Sequence, residues 1–331
     1  VIERVAWPVP AGRGRGYTRP EKLVGSLQRR GLIDPDPAYV AHGRTKAGLS
    51  GLVDRFTPGS RLGGSLATTA VLSPVFVGRV DTGAAWIDLY DDWSIAPNIN
   101  PYYRLLAYRG YRCLRATKAA GLITVNTSYM ANRLLPLETI RVPNGVDPDL
   151  AEIEPQGSSA RRLVLLGDFF PGRTDFEAIR RFALRKEFEE VVIGAPGTSK
   201  KMAGLIRELT ATRGSRLQVH PWIQPAELGR IVGDRTALLI PHVVSDYTLS
   251  QDLLKVYQGL ALGARVICPR LLWPESVDAS FGLLIDRGVD LDLVLADWLD
   301  SDAPTPDWRR RFAARHSWTA RTETIAAALG A

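Results

Sequence analysis

Lys255 and Gln258 lie three residues apart in IPHVVSDYTLSQDLLKVYQGLALGARVICP, residues 240–269, a stretch that reads as strand, polar loop, helix and strand. On a helix that spacing makes them neighbours on one face, while Leu254, Tyr257, Leu260 and Ala261 form an apolar face. A lysine in the first turns of a helix that follows a strand can reach a phosphate that the helix N-terminus already favours. Gln258 both donates and accepts, which suits the hydroxyls of a ribose. The competing assignment is an amphipathic core helix with a solvated Lys and Gln.

A second group is acidic. WIDLYDDWS (Trp86–Ser94) follows a strand and brings together Asp88, Asp91 and Asp92. A positioned carboxylate can serve as a general base, and adjacent carboxylates repel, which raises one of their pKa values. Asp92 is favoured because it begins the following turn. Two structural roles compete: Asp-Asp-Trp-Ser capping a helix, and Asp88 satisfying buried backbone groups. The loop AGRGRGYTRP sits after the first strand and before a helix, where a phosphate loop would be. Its glycines spell G-x-G-x-G rather than G-x-G-x-x-G, and no acidic residue ends the next strand, so it is a poor dinucleotide site. Gly14, Arg15 and Gly16 remain its candidate contact residues. His42, His220, His242 and His316 are too dispersed for a metal cluster, although His242 closes the LLIPH strand. Cys113 and Cys268 stand alone and read as reduced, buried thiols.

The elements that must hold these groups alternate. In the first half, strands are expected at Ile2–Trp7, Ala38–Ala41, Val71–Val77, Ala85–Leu89, Gly121–Val125 and Thr139–Val142, with a helix from Thr18 to Arg30. DPDLAEIEPQGSS, which ends at Ser159, breaks the rhythm and reads as a linker. The alternation then restarts with RRLVLLGDFF, EEVVIGAP, LQVHPW, TALLIPH and ARVICP as strands, separated by helices. Residues 307–329 carry a helical period. The reading is α/β, two doubly wound parallel-sheet domains: 1–148, a linker 149–159, 160–305, and a C-terminal helix 306–331 packing back toward the first domain.

The chain has 331 residues, 45% hydrophobic and 23% charged, with a formal charge of +7. That composition is ordinary for a globular protein, and no apolar run is long enough to span a membrane. The N-terminus reads as a strand rather than a signal peptide. Net positive charge favours anionic partners, but the arginines are scattered and no nucleic-acid patch is evident. Tyr102, Tyr103, Tyr108 and Tyr111 in a basic first domain would suit an acidic membrane surface, or would pack a helix into the core.

LLKVYQGLALGARVICP resembles the P-x-K-x-x-E-Y-L-A-x-G-x-P-V-V segment of GT-B glycosyltransferases, of the family 4-like, group 1 kind. Further stretches are similar in order: LVLLGDFFPGRTDFEAI to the opening strand and basic loop of the donor domain, and HPWIQPAELGRIVGDRTALLIPH to the segment lining the base pocket. IRVPNGVD resembles the crossing loop, KAAGLITVNTSYMANRL an S-x-x-L unit, and RHSWTAR the closing S-W-x-x-R helix. The resemblance covers roughly residues 84 to 326 and is weakest before Gly83. It implies the GT-B architecture, two Rossmann-like domains facing a cleft, and a nucleotide-sugar donor in the second domain. Arg173 and Lys255 would hold the diphosphate and Gln258 the ribose. Trp222 and Pro241–His242 would line the base pocket, with Ser250 and Tyr257 also at the donor. Gly14, Arg15 and Gly16 would approach the acceptor or the diphosphate.

The departures are informative. Retaining members of the family carry two glutamates eight residues apart, where this chain has Ser250 and Gln258. Lys-x-x-Gln resembles instead the donor helix of the xanthan-type glucuronosyltransferase. The resemblance thus implies a metal-independent, inverting transfer of a sugar, most readily from a UDP-sugar, with an aspartate of the 88–92 run as base. It implies no cofactor beyond the donor itself. The acceptor could be a polysaccharide, a lipid-linked sugar or a natural-product scaffold. A cytoplasmic location, with contact at the inner face of a membrane, fits this reading. A nucleotide-sugar 2-epimerase and a turnover-deficient binding domain are the alternatives.

Overall fold

The computed structural model describes residues 2–6, 18–40, 69–79, 85–116, 121–154, 160–223, 227–286 and 289–330. Gly14, Arg15, Gly16 and His42 lie outside the described residues. The chain divides into two compact units, Val1–Pro143 with Trp318–Ala331, and Asn144–Ser317.

The first unit is built on a six-stranded sheet of order β2-β1-β3-β4-β5-β6. Its strands are β1 (Ile2–Ala6), β2 (Ile33–Val40), β3 (Thr69–Val71), β4 (Ala85–Leu89), β5 (Ile123–Val125) and β6 (Ile140–Arg141). Every pairing is parallel. β3, β4 and β5 are buried along their whole length, as strands covered on both faces must be. Helix α1 (Arg19–Arg29) opens at Thr18, whose backbone N–H donates to Glu21 Oε2 at 2.9 Å. Helix α2 (Pro101–Ala116) packs on a 3-10 turn at Pro74–Arg79, so closely that a Cβ on Gly110 would meet Pro74 O at 2.0 Å. That turn corrects the expected strand at Val71–Val77: the strand ends at Val71, and Pro74, which lacks a ladder donor, starts the turn. Helix α3 is Ser128–Arg133. The C-terminal helix Trp318–Ala328 meets α1 through the Ser26 and Thr322 hydroxyls, 2.9 Å apart, and an Arg30–Glu323 ion pair at 2.8 Å.

The second unit has strands β7 (Arg162–Leu166), β8 (Glu190–Gly194), β9 (Leu217–His220), β10 (Thr236–Leu239), β11 (Arg265–Pro269) and β12 (Gly282–Ile285). Their order is β12-β11-β10-β7-β8-β9, again all parallel. Its helices are α4 (Phe176–Ala183), α5 (Lys200–Arg213), α6 (Leu228–Ile231), α7 (Asp246–Leu249), α8 (Leu254–Ala261), α9 (Leu291–Asp300) and α10 (Pro306–Arg315). Strand residues alternate between two cores. Val164, Val192, Leu238 and Val266 enter the core under α8, while Leu163, Leu165, Val191 and Ile193 enter the one under α4, α5 and α9. This period of two, with helices on both faces, is a doubly wound sheet.

Two domain boundaries differ from expectation, and the strand expected at Ala38–Ala41 begins earlier, at Ile33. Pro148–Glu152 forms a 3-10 turn inside the second unit, with Leu150 and Ala151 buried. Arg309 of α10 donates to the Ala151 and Ile153 carbonyls at 3.0 and 2.8 Å. The acidic residues around Leu150 and Ile153 masked an apolar anchor. The expected single C-terminal helix breaks at His316–Ser317, and its first part, α10, belongs to the second unit. β12 and α9 had no counterpart in the sequence reading.

Candidate functional site

In the second sheet the chain winds outward in both directions from the pair β7–β10. The carboxyl edge at such a reversal leaves a crevice, the usual ligand position of open α/β sheets. Three backbone contacts tie the loops after β7 and β10 together there. Asp175 N donates to Pro241 O at 2.7 Å, Val243 N donates to Arg173 O at 2.9 Å, and Thr174 bridges His242. Asp175 also caps α4, accepting from Ala178 N at 2.9 Å.

Helix α8 enters from the same edge. Gly259 lets it lie close to β10, because a Cβ there would come within 2.6 Å of Leu238. Leu253 before it has no side-chain acceptor to cap the first turn, which leaves the helix N-terminus suited to an anion. Lys255, in that first turn, reaches the end of β7. A Cβ on Gly167, whose φ is +121°, would sit 2.7 Å from Lys255 Cε and 2.8 Å from Nζ.

Arg173 comes to the same place from the β7 loop. Its guanidinium donates to the Asp168 carbonyl and lies 4.3 Å from the centroid of Phe170. Burial first, and then the charge of Arg173, push the Lys255 ammonium down to about 8, while Asp168 opposes the shift. His242 sits well below the usual imidazole range, because it is buried and because Arg173 and Lys255 repel a further charge. It is therefore neutral near pH 7, and its buried Nδ1 has no hydrogen-bond partner among the described residues. Two cations against one carboxylate, beside a helix N-terminus, give a region of positive potential suited to a phosphate or diphosphate.

Gln258 lies one turn beyond Lys255 and is half-buried. Trp222 follows β9 on the same edge and is 41% exposed, which leaves its ring accessible for stacking. Ser250 is buried and donates its hydroxyl to Tyr247 O at 2.6 Å, a turn-closing role. Tyr257 departs from the expected donor position. It is fully buried, packs on Phe312 and His316, and its hydroxyl bonds the Asp252 carboxylate at 3.1 Å and Ser276 at 3.0 Å. Asp252 in turn accepts from the Asn144 backbone N–H, and Asn144 Nδ2 donates to Asp252 O at 2.6 Å. Tyr257 is two residues beyond Lys255, and two residues is half a helical turn, so it faces the core.

In the first unit the three aspartates separate. Arg19 grips Asp88 with two bonds of 2.9 and 2.8 Å, and Thr124 donates to the same carboxylate at 2.7 Å. Both ionic partners are buried, so Asp88 ties α1 to β4. Asp92 is fully buried as well. It accepts from Ser94 N at 3.0 Å, from Ser94 Oγ at 2.5 Å and from Arg133 Nε at 2.9 Å. Asp91 is half-buried, with a φ of +55°, an uncommon conformation for a residue with a Cβ. Of the thiols, Cys268 is buried and Cys113 is exposed, which corrects the expectation that both are buried.

Asp168 and Gly167 were not singled out in the sequence. The signal was an acid directly after the glycine that ends an apolar strand, LLGD. Asp168 fills space that only a glycine at 197 leaves, since a Cβ there would lie 1.8 Å from its Oδ1.

No family model matches the sequence, and no curated protein does. Solved structures do. The chain is similar to AviGT4, a glycosyltransferase involved in avilamycin A biosynthesis, with a TM-score of 0.60 and 14% identity over 100% of this chain and 97% of that one. It is similar to Anabaena HepE, solved in complex with UDP and glucose, with a TM-score of 0.63 and 11% identity over 100% of both chains. It is also similar to the lipopolysaccharide outer core galactosyltransferase WaaB, with a TM-score of 0.62 and 12% identity over 99% of each. These identities speak to fold alone, and across its whole length the chain has the GT-B fold of glycosyltransferases, two Rossmann-like parallel-sheet units.

Proposed function

We propose that the chain is a glycosyltransferase that moves a sugar from a nucleoside diphosphate, a UDP-sugar in the first instance, onto an acceptor hydroxyl. The observation that carries this reading is the convergence of Lys255, Arg173 and His242 at the β7–β10 edge, beside the α8 N-terminus. A departing diphosphate concentrates negative charge, and preorganised cations and helix dipoles stabilise it in the transition state. HepE, of the same fold, was solved with UDP-glucose, which supports the choice of donor. Gln258 would hold the ribose, and Trp222 would stack on the base.

The reaction would be inverting and metal-independent. Ser250 and Gln258 provide no carboxylate in the donor helix region, as in the xanthan-type enzyme that Lys-x-x-Gln resembles. An inverting transfer needs a base that reaches the acceptor hydroxyl. Asp88 and Asp92 are buried and each is held by an arginine, whereas Asp91 is half-buried, and the base is assigned to it.

The test is a thermal-shift screen against UDP, GDP, TDP and ADP and their sugars, on wild type and Lys255→Ala. A ligand at about 100 times its dissociation constant stabilises by about 2.7 kcal/mol. A shift with one nucleotide, lost in the variant, supports the reading and names the base. No shift with any nucleotide would overturn it. Donor binding without transfer or hydrolysis across an acceptor panel would instead favour a turnover-deficient binding domain.

A further inference from the structure

Between Asp92 and Glu138 the chain contains no acidic residue, while Arg104, Arg109, Arg112, Arg115, Lys118 and Arg133 all fall there. Most of that run is helix α2 and its surroundings. The helix has two opposed stripes at i, i+3, i+4, i+7 spacing. Ala107, Gly110, Tyr111 and Leu114 are buried against the 3-10 turn at Pro74–Arg79 and the sheet. Leu105, Tyr108, Arg109 and Arg112 form the other stripe, and all four are exposed.

A solvated helix face ordinarily mixes both signs of charge and avoids large apolar groups. This one does neither: Leu105 is 54% exposed and Tyr108 43%. Arg112 lies 6.0 Å from the Tyr108 ring centroid, so cation and aromatic ring share one patch. Arg104 donates to Ser94 O at 3.3 Å, and Arg109, Arg112 and Arg115 follow along the helix. An aliphatic side chain, a tyrosine and flanking arginines on one exposed helical stripe match the boundary between acyl chains and anionic headgroups. A nucleic acid would use the arginines and tyrosine but give Leu105 nothing to bury in.

We propose that the outer face of α2 docks the first unit onto an anionic lipid surface, with Leu105 and Tyr108 entering the headgroup boundary and Arg109, Arg112 and Arg115 meeting lipid phosphates. This surface is independent of the donor chemistry assigned to the second unit. Among the described residues no helix is long and apolar enough to cross a membrane.

The test is co-sedimentation of the full chain with vesicles of phosphatidylcholine alone or with about 30% phosphatidylglycerol. Wild type should sediment with the anionic vesicles only, and about 0.5 M salt should release it. The triple variant Arg109→Gln, Arg112→Gln, Arg115→Gln should weaken partition by about fivefold for each arginine removed. Leu105→Ser with Tyr108→Ser should weaken it at unchanged charge, and the triple variant Arg109→Lys, Arg112→Lys, Arg115→Lys should bind as wild type does. Melting curves with and without UDP on every variant separate this proposal from the donor reading. A preserved UDP shift with no vesicle binding by wild type would overturn the docking proposal alone. Undiminished binding by the helix variants, or equal binding to neutral vesicles, would overturn it too. Retention on heparin without vesicle partition would assign the arginines to a non-lipid polyanion. Dimerisation abolished by Leu105→Ser would assign the face to a second copy, and either result rejects the proposal.

Discussion

Lys255 lies across the backbone of Gly167, so that a Cβ on the glycine would stand 2.8 Å from the lysine Nζ. The placement rests on the absence of a side chain at the end of β7 and on the way α8 enters the same edge. It holds a cation where the strand order reverses, over a backbone turn with a φ of +121° that other residues rarely adopt.

Gly167→Ala should therefore act twice. The positive φ strains an alanine by about 1–3 kcal/mol, and the new methyl displaces the lysine. The urea midpoint should fall, and calorimetric affinity for UDP should drop by at least about tenfold, near 1.4 kcal/mol. A drop in stability with unchanged UDP affinity would remove Lys255 from the nucleotide site.

The lowered pKa of Lys255, about 8, gives two pH effects of opposite sense. Nucleotide affinity should weaken as pH rises through about 8, because the ammonium that meets the diphosphate is lost. Stability without ligand should rise between about 8 and the ordinary lysine value of about 10.4, because there the unfolded chain holds a proton that the folded chain has released. Lys255→Met should abolish UDP binding, stabilise the unliganded protein and flatten that rise. Denaturation between pH 7 and 10, with UDP titrations in parallel, checks both.

The three aspartates should part company. Asp88→Asn leaves Arg19 buried against a neutral partner, and breaking such a pair costs about 3–5 kcal/mol. Asp92→Asn should also destabilise, through loss of its ion pair with Arg133. Asp91→Asn should hold its melting temperature and its UDP affinity while transfer falls by about 100- to 10,000-fold. Full transfer activity in Asp91→Asn would remove it as the base.

Tyr257→Phe removes hydrogen bonds to Asp252 and Ser276. It should cost about 1–3 kcal/mol of stability, because the buried Asp252 carboxylate loses a donor. UDP affinity should stay within about twofold, a difference of about 0.4 kcal/mol. A large loss of affinity at unchanged stability would return Tyr257 to the donor contacts.

Much of the fold was legible because its signals are local. The runs around Val164, Val192, Leu238 and Val266 are apolar on both faces, as central parallel strands must be. Pairing Lys255 with Gln258 needed only the helical period. The aspartates were harder. Asp88 and Asp92 became structural only when Arg19 and Arg133 arrived from elements 69 and 41 residues away, and no spacing rule anticipates a partner so distant. Tyr257 was placed at the donor by the resemblance alone, whereas its helical period already set it on the apolar face with Leu260 and Ala261, the face that packs in the core.

The sequence by itself determined the α/β rhythm, the strand–loop–helix setting of Lys255, and the acid-free basic segment around α2, all carried by neighbours in the chain. The tertiary structure alone decided which groups meet. It brought Arg173, His242 and Lys255 to one edge, buried two of three aspartates, and turned Leu105, Tyr108, Arg109 and Arg112 outward. The reason is that burial and charge pairing depend on distances set by sheet order and helix packing, which join residues far apart in sequence.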